Sequence, residues 1–279
     1  MKKLRYLICV LLAAFVSLVA VACGDDEQEE ERIPIMAGTS TIEITHHGRA
    51  VEADAYIPDT GSYSIVIFSH GYNGSKNDFQ ANAKALVKNN IAAITFTFCG
   101  SGERDKSTLA TTDMTLFTEK EDLIAVIDYA QRLEGFDGNL FLVGGSQGGM
   151  VSAMAAEERA DDIAGMVLLY AGFCIPDDWN ARYPDDATVP EIIPWWGVNL
   201  GRNFVLSLRN LDIYKNMANF TKPVLLMHAA DDNIVPLSYS ERAAEAYPNA
   251  KLTRRNAGGH GFLPADGELL KFIEDCIFD

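Results

Sequence analysis

The chain is poor in positive charge. Its 23 Lys and Arg stand against 39 Asp and Glu, a net charge of -16 at pH 7. So acidic a chain is repelled by nucleic acid and by anionic lipid surfaces, which excludes both as electrostatic partners. Cysteine is scarce as well. There are five, none in CxxC spacing, which excludes a disulfide framework and a zinc ribbon. The glycine-rich stretches hold neither a G-x-G-x-x-G register nor the lysine of a phosphate loop, so a nucleotide cradle is excluded. Histidines number five. His46 and His47 are adjacent on an expected strand, face opposite ways and make a poor chelate, so no metal is expected there. Internal repeats are missing too, and so are long linkers beyond residue 40.

What remains is ordinary for a globular protein: 48% hydrophobic and 22% charged residues. A length of 279 residues suits one large α/β domain or two small ones.

The first residues read as an address. Lys2, Lys3 and Arg5 precede an apolar run of about 17 residues from Tyr6 to Ala22, too short for a comfortable membrane span. Positive start, apolar run and small-residue approach are the parts of a secretory signal. "AVAC", ending at Cys23, resembles a bacterial lipoprotein box, with Ala20 where leucine is usual. The resemblance implies lipidation of Cys23 and anchoring of an exported protein in a membrane, expected to be the outer membrane. "GDDEQEEE", Gly24 to Glu31, holds like charges without apolar residues and cannot build a core, so 23–40 is expected to be a tether. It also resembles the surface-export signal of some bacterial lipoproteins. With Cys9 in the signal and Cys23 lipidated, Cys99, Cys174 and Cys276 remain. Buried thiols are expected, a Cys99–Cys174 bridge being the alternative.

Further along, strand and helix patterns alternate. Thr41–Thr45 and Val51–Ile57 flank "HHGR" as a hairpin. "YSIVIFS", "IAAITFTF", "NLFLVGG", "IAGMVLLYAG" and "KPVLLMHAA" are apolar runs of buried strands. Between them lie helical segments at Asp78–Lys88, "EKEDLIAVIDYAQRL" and "QGGMVSAMAAEERA", with a last helix from about Asp266 to Ile277. This rhythm predicts an α/β fold with a mostly parallel sheet and helices on both faces. About fifty residues from Gly172 to Thr221 break it, carrying Trp179, Tyr183, Trp195, Trp196 and four prolines. They predict a cap inserted over the carboxyl edge of the sheet, where ligands bind in open α/β sheets.

The chemistry concentrates at Gly144-Gly145-Ser146-Gln147-Gly148. A G-x-S-x-G run between a buried strand and a helix has the context of a nucleophile elbow. Glycines are needed because the turn is so tight that side chains would meet the neighbouring strand. The helix start favours negative charge developing beside Ser146. A serine needs a base, and the base needs an orienting acid. Downstream lie only His228 and His260. His260 sits in "AGGHGF", a glycine-rich loop before the last helix, and is the expected base. His228 ends an apolar strand and reads as structural. Asp231 and Asp232 compete for the acid role, since both cannot face the imidazole. Oxyanion donors are expected from the backbone N–H groups of Gln147 and of Tyr72 in "SHGYNG", with His70 shaping that loop.

With these residues placed, the chain resembles the α/β-hydrolase superfamily from about residue 41 to 279. Within it, the resemblance is to bacterial cinnamoyl and feruloyl esterases. It rests on "HGYNGSKNDF", the "GSG" turn at Gly100–Gly102, "GGSQGGM", a cap over about 172–220, "DNIVP" and "GGHGF". The pattern H-G-x-x-D-x-x-V-P puts Asp232 in register as the acid, completing Ser146, Asp232 and His260. The resemblance implies a serine ester hydrolase working through an acyl-enzyme without a cofactor, on hydroxycinnamoyl or similar small or polysaccharide-linked esters. It departs at Gly145, where the family has histidine, and at Thr97-Phe98-Cys99-Gly100. Asp and Tyr residues of 177–186 are candidates for reading a substrate phenol. A serine aminopeptidase of the same fold, and a surface lipoprotein that binds without turnover, remain open.

Overall fold

The computed structural model describes residues 32–278. The expected leader over 1–22, Cys23 and the acidic stretch to Glu31 lie outside the described residues. The rest of the expected tether is corrected: the folded domain starts before residue 41. Ile33 bridges to Leu133, its N–H donating to the Arg132 carbonyl at 2.7 Å while its own carbonyl accepts from Glu134. Ile33 and Ile35 pack on the core, and burying them ties down a segment that the charge run alone would leave free.

Eight strands form the main sheet. In chain order they are β1 (Gly38–His46), β2 (Arg49–Ile57), β3 (Tyr63–Ser69), β4 (Ala92–Phe96), β5 (Phe136–Gly145), β6 (Gly165–Leu169), and, after the cap hairpin β7 (Ile192–Trp195) and β8 (Val198–Gly201), β9 (Val224–Ala229) and β10 (Ala250–Arg255). Their spatial order is β1-β2-β4-β3-β5-β6-β9-β10. Only β2 runs against its neighbours; every pairing from β4 to β10 is parallel.

The sequence explains which strands are central. β3, β4, β6 and β9 are buried at every residue, as strands covered on both faces must be. The edges differ. β1 alternates between exposed and inward positions, and β10, "AKLTRR", carries charges that discourage further pairing.

Alternate side chains serve opposite faces. Ile65, Ile67, Leu140 and Leu142 point to the side covered by α2 (Leu116–Gln131) and α3 (Gln147–Glu158). Val66, Phe68, Phe141 and Val143 point to the side covered by α1 (Gln80–Val87) and α7 (Asp266–Phe278). α2 starts three residues before the expected stretch, at a capping box between Thr115 and Thr118. Outside the cap, one helix was not expected: α6 (Leu237–Ala246), which buries only Ser240 and Ala243.

The segment between β6 and β9 is ordered throughout. It contains α4 (Ile175–Arg182), with Pro176 in its first turn, the β7–β8 hairpin, and α5 (Arg202–Leu206). Trp196 and Gly197 form the hairpin turn, both at positive φ (42° and 84°), the mirror-image turn that suits the strand twist. Arg209 staples the cap together, bonding Asp186, Asn180 and the Tyr183 carbonyl. Hydrogen bonds tie it to the sheet's loops, among them Tyr72 Oη to the Trp195 carbonyl at 2.8 Å and Thr111 Oγ1 to the Asn199 carbonyl at 2.7 Å.

Candidate active site

Strand order reverses around β3, whose neighbours are β4 and β5, so a crevice opens at the carboxyl ends of β3 and β5. Ser146 stands there, between β5 and α3, with φ 52° and ψ -122°. A non-glycine residue holds such a conformation only when its surroundings impose it. They do: its N–H donates to the Leu169 carbonyl at 2.9 Å, and its carbonyl accepts from Gly172 N–H at 2.7 Å. The need for glycine is steric. A Cβ on Gly148 would lie 2.3 Å from the Ser69 and His70 carbonyl oxygens at the end of β3, and one on Gly144 would lie 2.4 Å from the Gly148 carbonyl oxygen.

The structure brings the distant residues to this serine. His260 Nε2 lies 2.9 Å from Ser146 Oγ, and His260 Nδ1 lies 2.8 Å from Asp232 Oδ2. A carboxylate only accepts, so Nδ1 carries the imidazole proton and Nε2 offers its lone pair to the serine hydroxyl. The Asp232 side chain is fully buried, with 0% exposure. Burial by itself would raise its carboxyl; hydrogen bonds from His260 and from the Ile234 and Val235 amides outweigh it and hold the pKa below the ordinary carboxylate value. Asp232 therefore stays ionised, the state that fixes the imidazole's tautomer.

The neighbouring residues divide as their surroundings dictate. Asp231 accepts from Gly259 N–H at 2.8 Å and so holds the loop that carries His260. His228 is buried, with Nε2 donating to the Val235 carbonyl at 2.9 Å and Nδ1 accepting from Ser240 Oγ at 2.7 Å. Burial lowers its pKa, outweighing the Val235 carbonyl and the Asp232 charge, so it stays neutral behind the acid. His70 is buried too, and burial likewise depresses it. Its Nδ1 donates to the Gly71 carbonyl at 2.7 Å while its Nε2 accepts from Phe98 N–H at 3.0 Å, which pins the loop after β3. His46 bonds Asp122 at 2.7 Å, and His47 lies in the turn beyond with φ 44°. Cys99 and Cys174 are buried free thiols, and Cys276 is half-buried.

Gly71 backs directly onto Ser146: a Cβ there would lie 3.2 Å from that of the serine. Tyr72 and Gln147 accordingly wall the same cavity as Ser146. Gln147 opens α3, so its N–H has no acceptor within the helix and is free for a ligand. Its side chain is held from below, Nε2 donating to both oxygens of Glu119 at 2.9 and 2.8 Å. Glu119 is buried, and burial pushes its carboxyl up to about 8, against the pull of the Gln147 hydrogen bond. No sequence pattern singled out Glu119. Its place in the first turn of an amphipathic helix reads as surface until α2 is seen packed against α3.

Ser146 opens on two spaces. Under the cap is a cavity of about 640 Å³ walled by Trp179, Trp195, Trp196, Leu200 and Phe204. Arg182 lies over the Trp195 ring, 4.4 Å from its centroid, and Asp178 lines the same space. Of the candidates in 177–186, Asp178 faces the cavity. Tyr183 stacks on Trp179, Asp177 accepts from Tyr239 Oη at 2.9 Å, and Asp185 and Asp186 are taken up by the cap's own turn and by Arg209. A second cleft of about 460 Å³ runs along His260, Tyr170, Asp78 and Arg104.

A hydroxyl whose proton an oriented imidazole can accept, next to free amides at a helix start, is equipped for nucleophilic attack on a carbonyl. Comparison with known proteins gives the family and the fold. Residues 62–212 match the family model described as serine aminopeptidase, S33, and residues 209–268 match that of TAP-like proteins. The chain belongs to the serine aminopeptidase S33 family and has the α/β-hydrolase fold. It is 38% identical over 104 residues to the "Putative carbamate hydrolase RutD" of Caulobacter sp. (strain K31), covering 36% of this chain and 38% of that one. The match thus spans well under half the length of that curated relative. Over a longer stretch it is 22% identical, across 258 residues, to the bifunctional esterase/perhydrolase DCH of Acinetobacter calcoaceticus, 75% of this chain and 91% of that protein. Among solved structures, Est1E from Butyrivibrio proteoclasticus with bound ferulic acid superposes with a TM-score of 0.76 at 24% identity, covering 85% of this chain and 97% of the other.

Proposed function

We propose that this protein is a serine carboxylic-ester hydrolase that works through an acyl-enzyme. The observation that carries the reading is the hydrogen-bonded chain from Ser146 through His260 to Asp232, at 2.9 and 2.8 Å, opening into an aromatic cavity. Ser146 Oγ attacks the ester carbonyl as His260 Nε2 takes its proton. The amides of Tyr72 and Gln147 face the oxygen that becomes negative. His260 then passes the proton to the leaving alcohol, and the bond from carbonyl carbon to alcohol oxygen breaks. Water, deprotonated by the same imidazole, releases the acid. Asp232 stabilises the imidazolium in both halves without taking its proton.

A flat acyl group conjugated to a ring, as in hydroxycinnamoyl esters, suits the walls formed by Trp179, Trp195 and Phe204. The relative that is an esterase/perhydrolase, and the fold shared with a ferulate-binding protein, support the same direction. One observation favours a second reading. Asp178 puts a carboxylate in the cavity, where it would pair with a free amine, as an aminopeptidase requires. Steady-state kcat/KM values for methyl ferulate and for aminoacyl p-nitroanilides separate the two. Ester cleavage is expected to dominate, and faster anilide cleavage would overturn the ester assignment. The leader and Cys23 belong to the same proposal: the enzyme is exported and held on a membrane by lipid on that cysteine, acting outside the cytoplasm. Metabolic labelling with a palmitate analogue, lost in Cys23→Ala, tests this.

A further inference from the structure

Which of the two spaces takes which half of an ester follows from proton transfer. The imidazole that protonates the leaving oxygen must touch it, so the alcohol lies on the side lined by His260. His260 lines the 460 Å³ cleft and not the cavity under the cap. The acyl group is left with the aromatic cavity.

The alcohol cleft differs in chemistry from its neighbour. Asn73, Asp78, Arg104 and Tyr170 bring donors and acceptors to its lining, which Trp196 and Leu263 share. Arg104 and Asp78 pair at 3.2 Å; Arg104 also donates to the Asn73 carbonyl at 2.8 Å and Asp78 accepts from Ser75 N–H at 3.2 Å, and exposures of 53% and 34% leave the rest of both groups open to a ligand. Tyr170 is the unusual member. It follows β6 directly, at φ 37°, and only 5% of it is exposed. Its ring packs edge-on against His260 and against Phe262, with centroids 4.7 and 5.1 Å apart. Its hydroxyl reaches the bare Cα of Gly145: a Cβ there would lie 3.1 Å from the oxygen. No protein group hydrogen-bonds this phenol among the described residues. Burial pushes its pKa up to about 12, so it remains a donor throughout the neutral range. That hydroxyl opens into the cleft with its donor unengaged by the protein, so an arriving ligand oxygen can take it in place of water.

We propose that the Tyr170 hydroxyl reads the leaving alcohol, donating a hydrogen bond to a second oxygen on it, so that the enzyme selects esters of hydroxylated alcohols over those of simple alkanols. The inference rests on Ser146 and His260 acting as proposed above. Asp78 accepts from the alcohol's further hydroxyl groups, and Arg104 donates to them. Apolar alcohols leave Tyr170 and the Arg104–Asp78 pair unserved, which is where the selection arises.

The test is the selectivity ratio, kcat/KM for a glyceryl ester over kcat/KM for the methyl ester of the same acid, in wild type and in Tyr170→Phe. Phenylalanine keeps the packing on His260 and Phe262 and removes only the oxygen. The ratio is expected to fall about fivefold, the worth of one net hydrogen bond. Because both rates come from one preparation, a reduced active fraction or a disturbed imidazole cancels in the ratio. An unchanged or increased ratio overturns the assignment of Tyr170. A measurement on wild type guards against a variant that fails to fold. With equal glycerol and ethanol present, the acyl-enzyme carbonyl is attacked by an alcohol in place of water; the alcohol proton passes through His260 to Ser146 Oγ as the acyl bond to serine breaks. Glyceryl ester is expected to exceed ethyl ester severalfold. Equal yields, or more ethyl ester, overturn the cleft's preference. Activity that survives Ser146→Ala would instead strike at the hydrolase mechanism itself, so the two failures are told apart.

Discussion

Asp231 and Asp232 are adjacent carboxylates, yet their substitution by asparagine should have opposite consequences. Asp232 Oδ1 accepts from the Ile234 and Val235 amides at 2.9 and 3.0 Å, while Oδ2 faces His260 Nδ1 at 2.8 Å. In Asp232→Asn the two amides dictate the orientation of the new side chain. Turning its NH2 toward them would oppose donor to donor at a buried site, at about 1–3 kcal/mol per unmet group. The carbonyl oxygen therefore stays with the amides, and the NH2 points at His260. Nδ1 then becomes an acceptor, the imidazole proton shifts to Nε2, and Nε2 now presents a proton to Ser146 Oγ across 2.9 Å. A base with its proton on the wrong nitrogen takes none from the serine. Loss of the carboxylate in a Ser-His-Asp system reduces kcat by about 10,000-fold, and a similar loss is expected here. Asp231 makes a single contact from one oxygen, to Gly259 N–H, which an asparagine carbonyl would keep. Asp231→Asn should stay within about threefold of wild type, the usual effect of a surface change. The assay is kcat on a p-nitrophenyl ester, with melting temperatures to show that both variants fold. An Asp232→Asn enzyme retaining about a tenth of the wild-type rate, or an Asp231→Asn enzyme as impaired as it, would refute the tautomer argument.

Two further expectations concern the site's supports. Glu119 has a pKa near 8 in the fold against an ordinary 4.5, so its raised value favours the protonated carboxyl. Its contribution is intact below pH 4.5 and is lost as pH rises through 8, by about 4 kcal/mol for a group so buried. Glu119→Gln keeps an acceptor for Gln147 and cannot ionise. In urea titrations its stability relative to wild type should therefore rise between pH 5 and pH 8, and a constant difference would contradict the argument. Gly148→Ala drives a Cβ to 2.3 Å from two backbone carbonyls at the end of β3. It should lower stability by about 3 kcal/mol, roughly 6–12 °C in melting temperature, and displace the loop carrying Tyr72. Wild-type stability in this variant would show that the elbow is not the tight contact described.

The readability of the chain followed the range of the interactions involved. β3, "YSIVIFS", and β9 announce themselves because a strand covered on both faces must be apolar at every position. The Ser146 turn is legible for a similar local reason, since glycines at 144 and 148 answer contacts within a few residues or with the next strand. Asp232 and His260 could be ordered along the chain, but their approach to Ser146 depends on β9 lying between β6 and β10. α6 was missed because its buried stripe amounts to Ser240 and Ala243 after Pro236, too little apolar signal for a 3.6-residue period. The early start of the domain at Ile33 was masked by the acidic run before it. Tyr170, Arg182 and Glu119 were invisible for a different reason. A tyrosine after a strand, an arginine on a cap helix and a glutamate in a helix's first turn are commonplace locally. Only packing across the crevice gives them a wall to line.

Every step of the proposed reaction starts from Ser146 as the nucleophile. Incubation of the folded protein with a fluorophosphonate, followed by intact mass and peptide mapping, tests it most directly. One adduct per chain is expected, on Ser146, absent from Ser146→Ala and slowed in Asp232→Asn. A folded wild-type protein that acquires no adduct, or carries it on another residue, would contradict it.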